Sequence, residues 1–473
     1  MDIPLTAAWV AEVMAGTLVA GAGDSAFAGV SIDTRTLRRG ELFIAIRGEH
    51  FDGTDFAEAA IERGATGVVV PRGRAQNVAQ AVVTAHTAEG AAVIEVDDTV
   101  AALQGLANAI RRASGAKVVA ITGSAGKTTT KEVTAELLGT RYRVVRNKGN
   151  LNNHIGLPLS LVELRQRPDM AVVELGMNHA GEISTLVRVA EPDVRVWTNV
   201  GEAHVGFFGS VDAIADAKAE ILERASRGTL LVANADDARI AARIGAFAGR
   251  VRTFGIDRNA DVRATDVVDR GIDGTSARLT TPRGSSALTT PLVGRGNLAN
   301  VLAAAAVALE YDVPLETIVG KAAQLRPAVH RGEVVRLGSG VILIDDSYNA
   351  SPTAMRRALD VLAATAATRR VAVLGEMLEL GTHASDLHRE IGRAAADAHL
   401  DALFVVGGAA AEALAAAAVA AGMSRSQVRQ YNDSLDAGVA VVEFVQAGDV
   451  VLVKGSRGVK TDRVVDRLRA ERG

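Results

Sequence analysis

The residues that most clearly indicate chemistry are the run Gly123-Ser124-Ala125-Gly126-Lys127-Thr128. Residues 118–122 before it are apolar and β-branched, as in a buried strand, and the residues after Gly126 favour a helix. A glycine-bounded loop between a strand and a helix presents backbone N–H groups to an anion, and the helix dipole adds to their effect. Lys127 would reach the β- and γ-phosphates of a nucleotide, and the Thr128 hydroxyl would bind Mg²⁺. The sequence therefore predicts a phosphate-binding loop. It has two residues between its glycines where the common P-loop has four, and a turn that merely favours glycine is the alternative.

The composition limits the remaining classes of protein. The chain has 473 residues, enough for about three domains at the usual ~100–200 residues each. Its formal net charge of −3 gives no electrostatic case for a nucleic-acid partner. It has no cysteine, which excludes disulfides, thiolate nucleophiles and cysteine-bound zinc. We find neither a basic signal segment at the N-terminus nor an apolar run of ~20 residues. We therefore expect a cytoplasmic protein that is soluble and does not bind membranes.

The order of the predicted elements indicates an α/β protein of three domains. Residues 1–112 predict a small α/β domain. Residues 113–325 alternate strand and helix, which is typical of a mostly parallel sheet, and residues 261–293 predict antiparallel hairpins added to it. Residues 326–473 predict a Rossmann-like domain that lacks the glycine fingerprint of a nicotinamide site.

Two further side chains follow predicted strands. Glu174 ends an apolar strand predicted over residues 170–175, and ligands of parallel sheets bind at the carboxyl ends of strands. A carboxylate there can complete a Mg²⁺ shell together with Thr128, although an ordinary exposed acid is the alternative. His204 also comes just after a strand, but an isolated loop histidine is more often structural or solvated.

Several motifs downstream of the loop resemble those of the Mur ligases, the ATP-dependent amide ligases of peptidoglycan synthesis. The similar stretches, in order, are residues 123–128, 150–158, 173–183, 345–352 and 453–457. Together they extend over nearly the whole chain, and the short glycine spacing of the first is a trait of that family. The pattern is most similar to the branch that adds D-alanyl-D-alanine to UDP-N-acetylmuramoyl-tripeptide. The Asp-Asn-Pro-Arg motif of the diaminopimelate-adding branch is absent. The chain departs from the usual pattern at Gly296, where histidine is common, and at Ser351, where asparagine is common.

The resemblance implies a reaction and its catalytic residues. The γ-phosphoryl group of ATP would pass to the tripeptide carboxylate, and the amine of D-alanyl-D-alanine would then attack the acyl phosphate. The implied catalytic residues are Lys127, Glu174, His204 and Lys218. Two Mg²⁺ ions are implied, with ligands from Thr128, Glu174, His204 and a Lys218 side chain that CO₂ has converted into a carbamate.

The resemblance also implies three binding surfaces, for each of which a polar turn or solvated charge is the alternative. The implied ATP-binding residues are Gly123, Ser124, Ala125, Gly126, Lys127, Thr128, Thr129, Asn297, Asn300, Arg331, Asp346, Tyr348 and Asn349. The implied UDP-substrate residues are Ser31, Thr34, Arg35, Arg47, Asn150, Asn152, Asn153 and His154. The implied amine-substrate residues are Lys454, Ser456 and Arg457. In this scheme residues 1–112 bind the UDP-sugar, residues 113–325 bind ATP and residues 326–473 bind the amine.

Two other functions remain open from the sequence. A sibling ligase would add a single amino acid in place of the dipeptide. A regulatory P-loop ATPase would turn over ATP without any amine acceptor, but the chain has no basic or coiled-coil segment for a macromolecular partner. We expect a monomer whose partners are small molecules and whose domains close to assemble the site.

Overall fold

The computed structural model describes residues 2–84, 90–147 and 149–473. Met1, the first residue of the N-terminal segment predicted to lack a signal, lies outside the described residues. The chain forms two compact units. The first comprises Met1–Ala120, Tyr142–Met177 and Gly181–Asp193, and the second comprises Ile121–Arg141, Asn178–Ala180 and Val194–Gly473.

The strands, in chain order, are β1 (Leu5–Thr6), β2 (Thr17–Ala20), β3 (Ala26–Phe27), β4 (Val30–Ser31), β5 (Leu42–Ile44), β6 (Gly67–Pro71), β7 (Ala92–Val96), β8 (Lys117–Thr122), β9 (Val144–Arg146), β10 (Met170–Glu174), β11 (Val194–Trp197), β12 (Leu230–Asn234), β13 (Arg250–Gly255), β14 (Val262–Asp269), β15 (Thr275–Thr281), β16 (Gly284–Thr290), β17 (Glu333–Arg336), β18 (Ile342–Asp346), β19 (Arg369–Gly375), β20 (Ala402–Val406), β21 (Val428–Tyr431) and β22 (Asp449–Lys454).

The α-helices are α1 (Ala7–Val13), α2 (Ala57–Glu62), α3 (Ala75–Thr84), α4 (Thr99–Ser114), α5 (Lys127–Leu138), α6 (Gly156–Val162), α7 (Glu182–Ala190), α8 (Val205–Phe208), α9 (Val211–Ala219), α10 (Ala238–Ala241), α11 (Gly294–Glu310), α12 (Leu315–Ala322), α13 (Pro352–Ala364), α14 (Ala384–Asp397), α15 (Ala409–Ala420), α16 (Ser434–Phe444) and α17 (Asp462–Arg472).

The first unit contains a five-stranded sheet in the order β2-β7-β6-β5-β4. Its neighbouring strands are parallel except at the edge, where β2 runs antiparallel to β7. Phe43, Val68, Val70 and Val93 alternate along three of these strands and form one buried cluster with α2. The same unit carries the neighbours β10 and β9, which are parallel, and the division between the units falls within β8.

The second unit contains the phosphate-binding loop and the strands from β11 onward. β11, β12, β13 and β14 are successive parallel neighbours, and β15 and β16 then continue the sheet antiparallel to them. The antiparallel hairpins predicted for residues 261–293 are therefore present. α11 is rich in Ala, Val and Leu and is buried over nearly its whole length, as expected for a helix that is apolar all round.

A six-stranded sheet in the order β17-β18-β22-β19-β20-β21 completes the second unit. β17 is antiparallel to β18, and the other neighbouring pairs are parallel. Val371, Val373, Phe404, Val451 and Val453 form its buried core together with α16 and α17. The carboxyl ends of β18 and β22 lie side by side, because Asp346 pairs in register with Lys454.

The elements that were not individually predicted from the sequence include β2, α3, β13 and β21. β2 and β21 are edge strands, and each is short and only partly buried, so the apolar alternation that predicts a strand is weak. β13 carries Arg250 and Arg252, which reach Glu310 on α11. Among the described residues, no helix is both long enough and apolar enough to cross a lipid bilayer.

Candidate active site

The phosphate-binding loop of the second unit connects the end of β8 to the start of α5. Thr122, the last residue of β8, is fully buried, and Gly126 occupies the N-cap position of α5 with φ 79° and ψ 0°. This left-handed conformation is accessible to glycine at little cost. The ammonium group of Lys127 donates to the Gly123 carbonyl over 2.9 Å, across the mouth of the loop. The sequence-predicted loop is therefore formed with Lys127 folded over it.

The loop is fixed by hydrogen bonds from the segment that follows β11. The Asn199 side chain accepts from the Ala125 N–H at 2.9 Å and donates to the Ala125 carbonyl at 2.8 Å. Thr198 Oγ1 donates to that same carbonyl at 2.9 Å. Ser124 Oγ accepts from the Gly201 N–H at 2.9 Å and lies 3.1 Å from the Gly201 carbonyl, to which it donates. Two consecutive loop residues are thus held by three residues of one neighbouring segment.

Asn300 supports the loop from the side of α11. Its amide nitrogen donates to Asn297 Oδ1 at 3.1 Å, and its amide oxygen accepts from Thr130 Oγ1 at 3.2 Å. A Cβ atom at Gly126 would lie only 2.4 Å from that amide oxygen. The Asn297 amide in turn donates to the Val293 carbonyl at 3.0 Å. Both asparagines predicted to bind ATP therefore use amide groups in hydrogen bonds within the protein, and Asn300 is buried.

The space beside Gly296 is filled by an arginine. A Cβ atom at this position would meet the Cδ atom of Arg357 at 3.0 Å and its Nη1 at 3.2 Å. Burial lowers the pKa of the Arg357 guanidinium, and the negative charges of Asp237 and Asp360 oppose that effect. The departure from histidine noted in the sequence thus coincides with an arginine from α13 packed at the start of α11.

His204 contacts a residue that sequence reasoning did not select. Its Nδ1 atom lies 2.6 Å from Oε2 of Glu379, and its backbone has the left-handed φ of 67°. The contact with His204 lowers the pKa of the Glu379 carboxyl group against the opposing effect of burial. Lys218, on α9, has a side chain that is almost entirely buried. Nδ1 is therefore the ring nitrogen of His204 that faces Glu379, and Nε2 is the other ring nitrogen.

Tyr348 lies in contact with two arginine side chains. The guanidinium carbon of Arg331 is 4.0 Å from the centre of the Tyr348 ring, and that of Arg457 is 5.1 Å from it. Both distances fall within the range of cation–π attraction. Among the described residues, no carboxylate lies within ion-pair distance of either arginine. The Tyr348 ring therefore holds two guanidinium groups close together, and their positive charges would attract an anionic ligand.

Lys454, by contrast, already has a carboxylate partner. Its ammonium group lies 2.6 Å from Asp346 Oδ2 and donates to the Asn349 carbonyl at 3.0 Å, with the side chain almost fully buried. Ser456, two residues on, accepts from the Leu378 N–H at 2.9 Å. These residues, predicted to capture a carboxylate, therefore also order the loops around β18, β19 and β22.

Glu174 ends β10 within the first unit and is 5% exposed. Its Oε1 atom accepts from the Asn152 amide at 2.8 Å, and its backbone N–H donates to Asn147 Oδ1 at 3.0 Å. Asn153 Oδ1 accepts from the Gly156 N–H at 2.8 Å at the start of α6, and the His154 carbonyl accepts from Gln104. The structure thus joins Asn152 directly to the predicted metal carboxylate.

Of the remaining UDP-substrate residues, all but Asn150 lie at or after the carboxyl ends of β4 and β5. Arg35 makes a bidentate contact with Asp33, at 2.6 Å for the Nη2–Oδ2 pair, and its side chain is exposed. These hydrogen bonds lower the pKa of Asp33 to about 2. Ser31 Oγ donates to the Asp33 carbonyl. The backbone of Arg47 forms an isolated antiparallel β-bridge with that of Asp52. Two further residues predicted for this site accept hydrogen bonds at their backbone carbonyls. The Thr34 carbonyl accepts from the Arg63 guanidinium, and the Asn150 carbonyl accepts from the Asn152 N–H.

Sequence reasoning missed Asn199, Glu202 and Glu379. Asn199 and Glu202 belong to the same post-strand loop as His204, so their place beside a strand end was available as a signal. Glu379 has no such signal, because its contact with His204 joins positions far apart in the chain. Within the part of the chain that the structure describes, no cluster of three or more His, Asp or Glu side chains could by itself hold a metal ion.

The fold and the loop geometry are typical of an α/β protein that binds a nucleotide phosphate, and comparison with family models specifies the class. Three family models match: "Mur ligase family, catalytic domain" over residues 26–111, "Mur ligase middle domain" over residues 121–308 and "Mur ligase, glutamate ligase domain" over residues 330–457. The chain belongs to the Mur ligase family. The family recognised from the motifs and the predicted three-domain α/β fold class are both confirmed.

Individual relatives match along nearly their whole length. The UDP-N-acetylmuramoyl-tripeptide–D-alanyl-D-alanine ligase of Bacillus subtilis is 35% identical over 461 residues, which cover 97% of each chain. A crystal structure of MurF from Acinetobacter baumannii superposes with a TM-score of 0.87 at 30% identity and covers 99% of both chains. MurF from Thermotoga maritima, determined in complex with ADP, has a TM-score of 0.81 at 28% identity and covers 94% of this chain and 97% of that one.

Proposed function

We propose that this chain is the ATP-dependent ligase that joins D-alanyl-D-alanine to UDP-N-acetylmuramoyl-tripeptide in peptidoglycan precursor synthesis. The observation that carries the proposal is the match, over 97% of both chains, to a relative with that name. The position of the loop between β8 and α5 supports it, as does the Lys127 ammonium group, which lies 2.9 Å from the Gly123 carbonyl of the same loop. The reaction would activate the tripeptide carboxylate as an acyl phosphate, which the amine of the dipeptide then attacks.

The chain's own residues would contribute chiefly by positioning and charge neutralisation, as is usual for phosphoryl transfer. Lys127 would leave its bond to the Gly123 carbonyl and contact the transferred phosphoryl group. Arg331 would contact the nucleotide phosphates, with its guanidinium ordered by the Tyr348 ring at 4.0 Å. Arg457, on the same ring, would contact the carboxylate of the amine substrate.

We further propose Mg²⁺ as the metal cofactor. Mg²⁺ prefers oxygen ligands and usually keeps waters and substrate phosphates in its shell, so it needs few protein groups. The Thr128 hydroxyl and the buried Glu174 carboxylate have the required chemistry, and the Asn152 amide at 2.8 Å would orient Glu174. When bound, the ion would neutralise negative charge on the phosphates.

A second Mg²⁺ would be held by His204 and a carbamate of Lys218. The burial of Lys218 supports this proposal, because desolvation favours the neutral amine that reacts with CO₂. His204 would use Nε2, since Nδ1 faces Glu379 at 2.6 Å.

The substrates would divide between segments of the chain at the boundaries set from the sequence. Residues 1–112 would bind the UDP-sugar through Arg35 and Arg47, residues 113–325 would bind ATP, and residues 326–473 would bind the dipeptide. We propose that the chain acts in the cytoplasm as a monomer, since its substrates are small soluble molecules.

The deciding experiment measures phosphate release by the purified chain with ATP, Mg²⁺ and UDP-N-acetylmuramoyl-tripeptide. D-alanyl-D-alanine is compared with single amino acids, and the product mass is measured to detect the new amide. We expect release and a product only with the dipeptide. Release with a single amino acid alone would identify a sibling ligase, and equal release without any amine would identify a regulatory ATPase.

A further inference from the structure

The loop between β11 and α8 lies within the second unit and contacts two other parts of it, the phosphate-binding loop and α13. We call residues 198–204 the coupling loop. On one side, Thr198, Asn199 and Gly201 bind Ser124 and Ala125 of the phosphate-binding loop with distances of 2.8–3.1 Å. These bonds set where the backbone N–H groups of the phosphate-binding loop point.

On the other side, Glu202 binds the first turns of α13. Its Oε2 atom accepts from Thr353 Oγ1 at 2.6 Å, and its Oε1 atom accepts from Arg356 Nη2 at 2.8 Å. Both oxygens of the Glu202 carboxylate are therefore engaged by α13.

The approach of α13 to this loop is close enough to require a small residue. A Cβ atom at Gly201 would lie 2.8 Å from Thr353 Oγ1 and 3.8 Å from Ser124 Cβ. Gly201 is also the residue whose N–H and carbonyl bind Ser124 Oγ. Gly201 therefore contacts both Thr353 of α13 and Ser124 of the phosphate-binding loop, so a displacement of Thr353 or Glu202 would change the position of Ser124.

We propose that Glu202 is a positioning residue that couples the docking of α13 to the geometry of the phosphate-binding loop. It touches no reacting atom. It holds the coupling loop so that the bonds from this loop to Ser124 and Ala125 fix the backbone of the phosphate-binding loop in its working geometry only when α13 is seated. The inference rests on the proposed function, because it assigns Glu202 a role in that same phosphoryl transfer.

The mechanism predicts a loss that appears in turnover and not in nucleotide affinity. The loop can bind ATP through Lys127 and its own backbone, but in-line geometry requires the seated α13. Removing a charge-assisted hydrogen bond usually changes a rate by about ten- to a hundredfold. A purely structural ion pair would instead lower thermal stability without separating kcat from KM.

The test uses Glu202→Gln in the full-length protein, with Glu390→Gln as the matched control. Glu390 is the other carboxylate on Arg356, at 3.1 Å. Within the described part of the chain it makes no hydrogen bond or ion pair with the coupling loop, so its variant removes a similar ion pair elsewhere. We expect kcat for amine-dependent phosphate release to fall ten- to a hundredfold in Glu202→Gln, with the ATP Kd changed less than threefold. We expect Glu390→Gln to keep wild-type kcat within twofold.

A second pair of variants keeps the test informative if Glu202→Gln folds poorly. Thr353→Val removes only the hydroxyl, and the double variant with Glu202→Gln should lose clearly less than the product of the single losses, because both act through one contact. Independent effects, equal losses in the Glu390 control, or an ATP Kd that weakens in step with kcat would each overturn the proposal. If the wild type uses a single amino acid instead of the dipeptide, the proposed function fails, while kcat with that amine still tests Glu202.

Discussion

The close packing of Asn300 against Gly126 makes Gly126→Ala a sharp test of how the phosphate-binding loop is supported. Two separate costs arise from one added methyl group. The first is backbone strain, because alanine would be held at φ 79°. The second is steric, because the new Cβ would lie 2.4 Å from the Asn300 amide oxygen, a buried atom that accepts from Thr130.

Gly209 offers a control in the same compact unit. Its φ of 75° and ψ of −22° resemble those of Gly126, but no atom lies within 4 Å of the position of a Cβ. Gly209→Ala should therefore cost only the strain of a left-handed residue, about 1–2 kcal/mol of unfolding free energy. Gly126→Ala should add the loss of buried hydrogen bonds by Asn300, about 1–3 kcal/mol, to give about 2–5 kcal/mol in total.

Urea unfolding followed by circular dichroism measures both variants. A third variant, Gly126→Ala with Asn300→Ala, removes the side chain that blocks the methyl group. We expect its loss to be clearly smaller than the sum of the two single losses, since residues in contact are not additive. Equal losses for Gly126→Ala and Gly209→Ala, or simple additivity in the double variant, would refute the view that Asn300 supports the loop by packing against Gly126.

Three further predictions concern chemistry and pH. Lys127→Ala should reduce ATP turnover by more than about a hundredfold while calorimetry still detects binding of the UDP-tripeptide. Lys218→Ala should be nearly inactive and be partly rescued by added small carboxylates, and full activity of the unrescued variant would contradict the carbamate. His388 is fully buried, and its Nε2 accepts from the Met377 N–H at 2.9 Å; burial lowers its pKa from 6.5. The unfolded chain then binds the proton more tightly, so this stabilisation is complete above about pH 6.5 and is lost as the pH falls towards the lowered pKa. The unfolding free energy should decrease between pH 7 and 5 more steeply in the wild type than in His388→Gln.

Local patterns predicted the parts of the fold that are determined locally. The run of residues 118–122 is β-branched and apolar because β8 is buried on both faces, and the glycine at 126 marks the left-handed N-cap of α5. The Thr- and Gly-rich stretch over residues 261–293 gave hairpins because its short alternating runs suit strands with one exposed face. Edge strands such as β2 and β21 were missed, since a strand with one neighbour and little burial needs no apolar pattern.

The candidate site divides in the same way. The positions of Lys127, Glu174 and His204 near strand ends could be predicted, because local patterns mark the strands that precede or contain them. Glu174 ends β10, and the other two lie after the loops that follow β8 and β11. The partners of these residues could not, because they come from distant parts of the chain. Glu202 and Thr353 are 151 positions apart, and no periodicity or motif spacing relates them. Only the packing of α13 against the coupling loop brings them together.

Lys454 shows how such pairing changes the assignment of a charge. From the sequence, Lys454 and Arg457 were equivalent cations in one loop after a buried strand. In the structure, the register of β18 against β22 places Asp346 beside Lys454, and the 2.6 Å ion pair uses most of its positive charge within the protein. Arg457 has no such partner among the described residues and lies on the Tyr348 ring instead. A substrate carboxylate is therefore expected to bind Arg457 more strongly than Lys454, because binding Lys454 requires competition with its existing ion pair to Asp346.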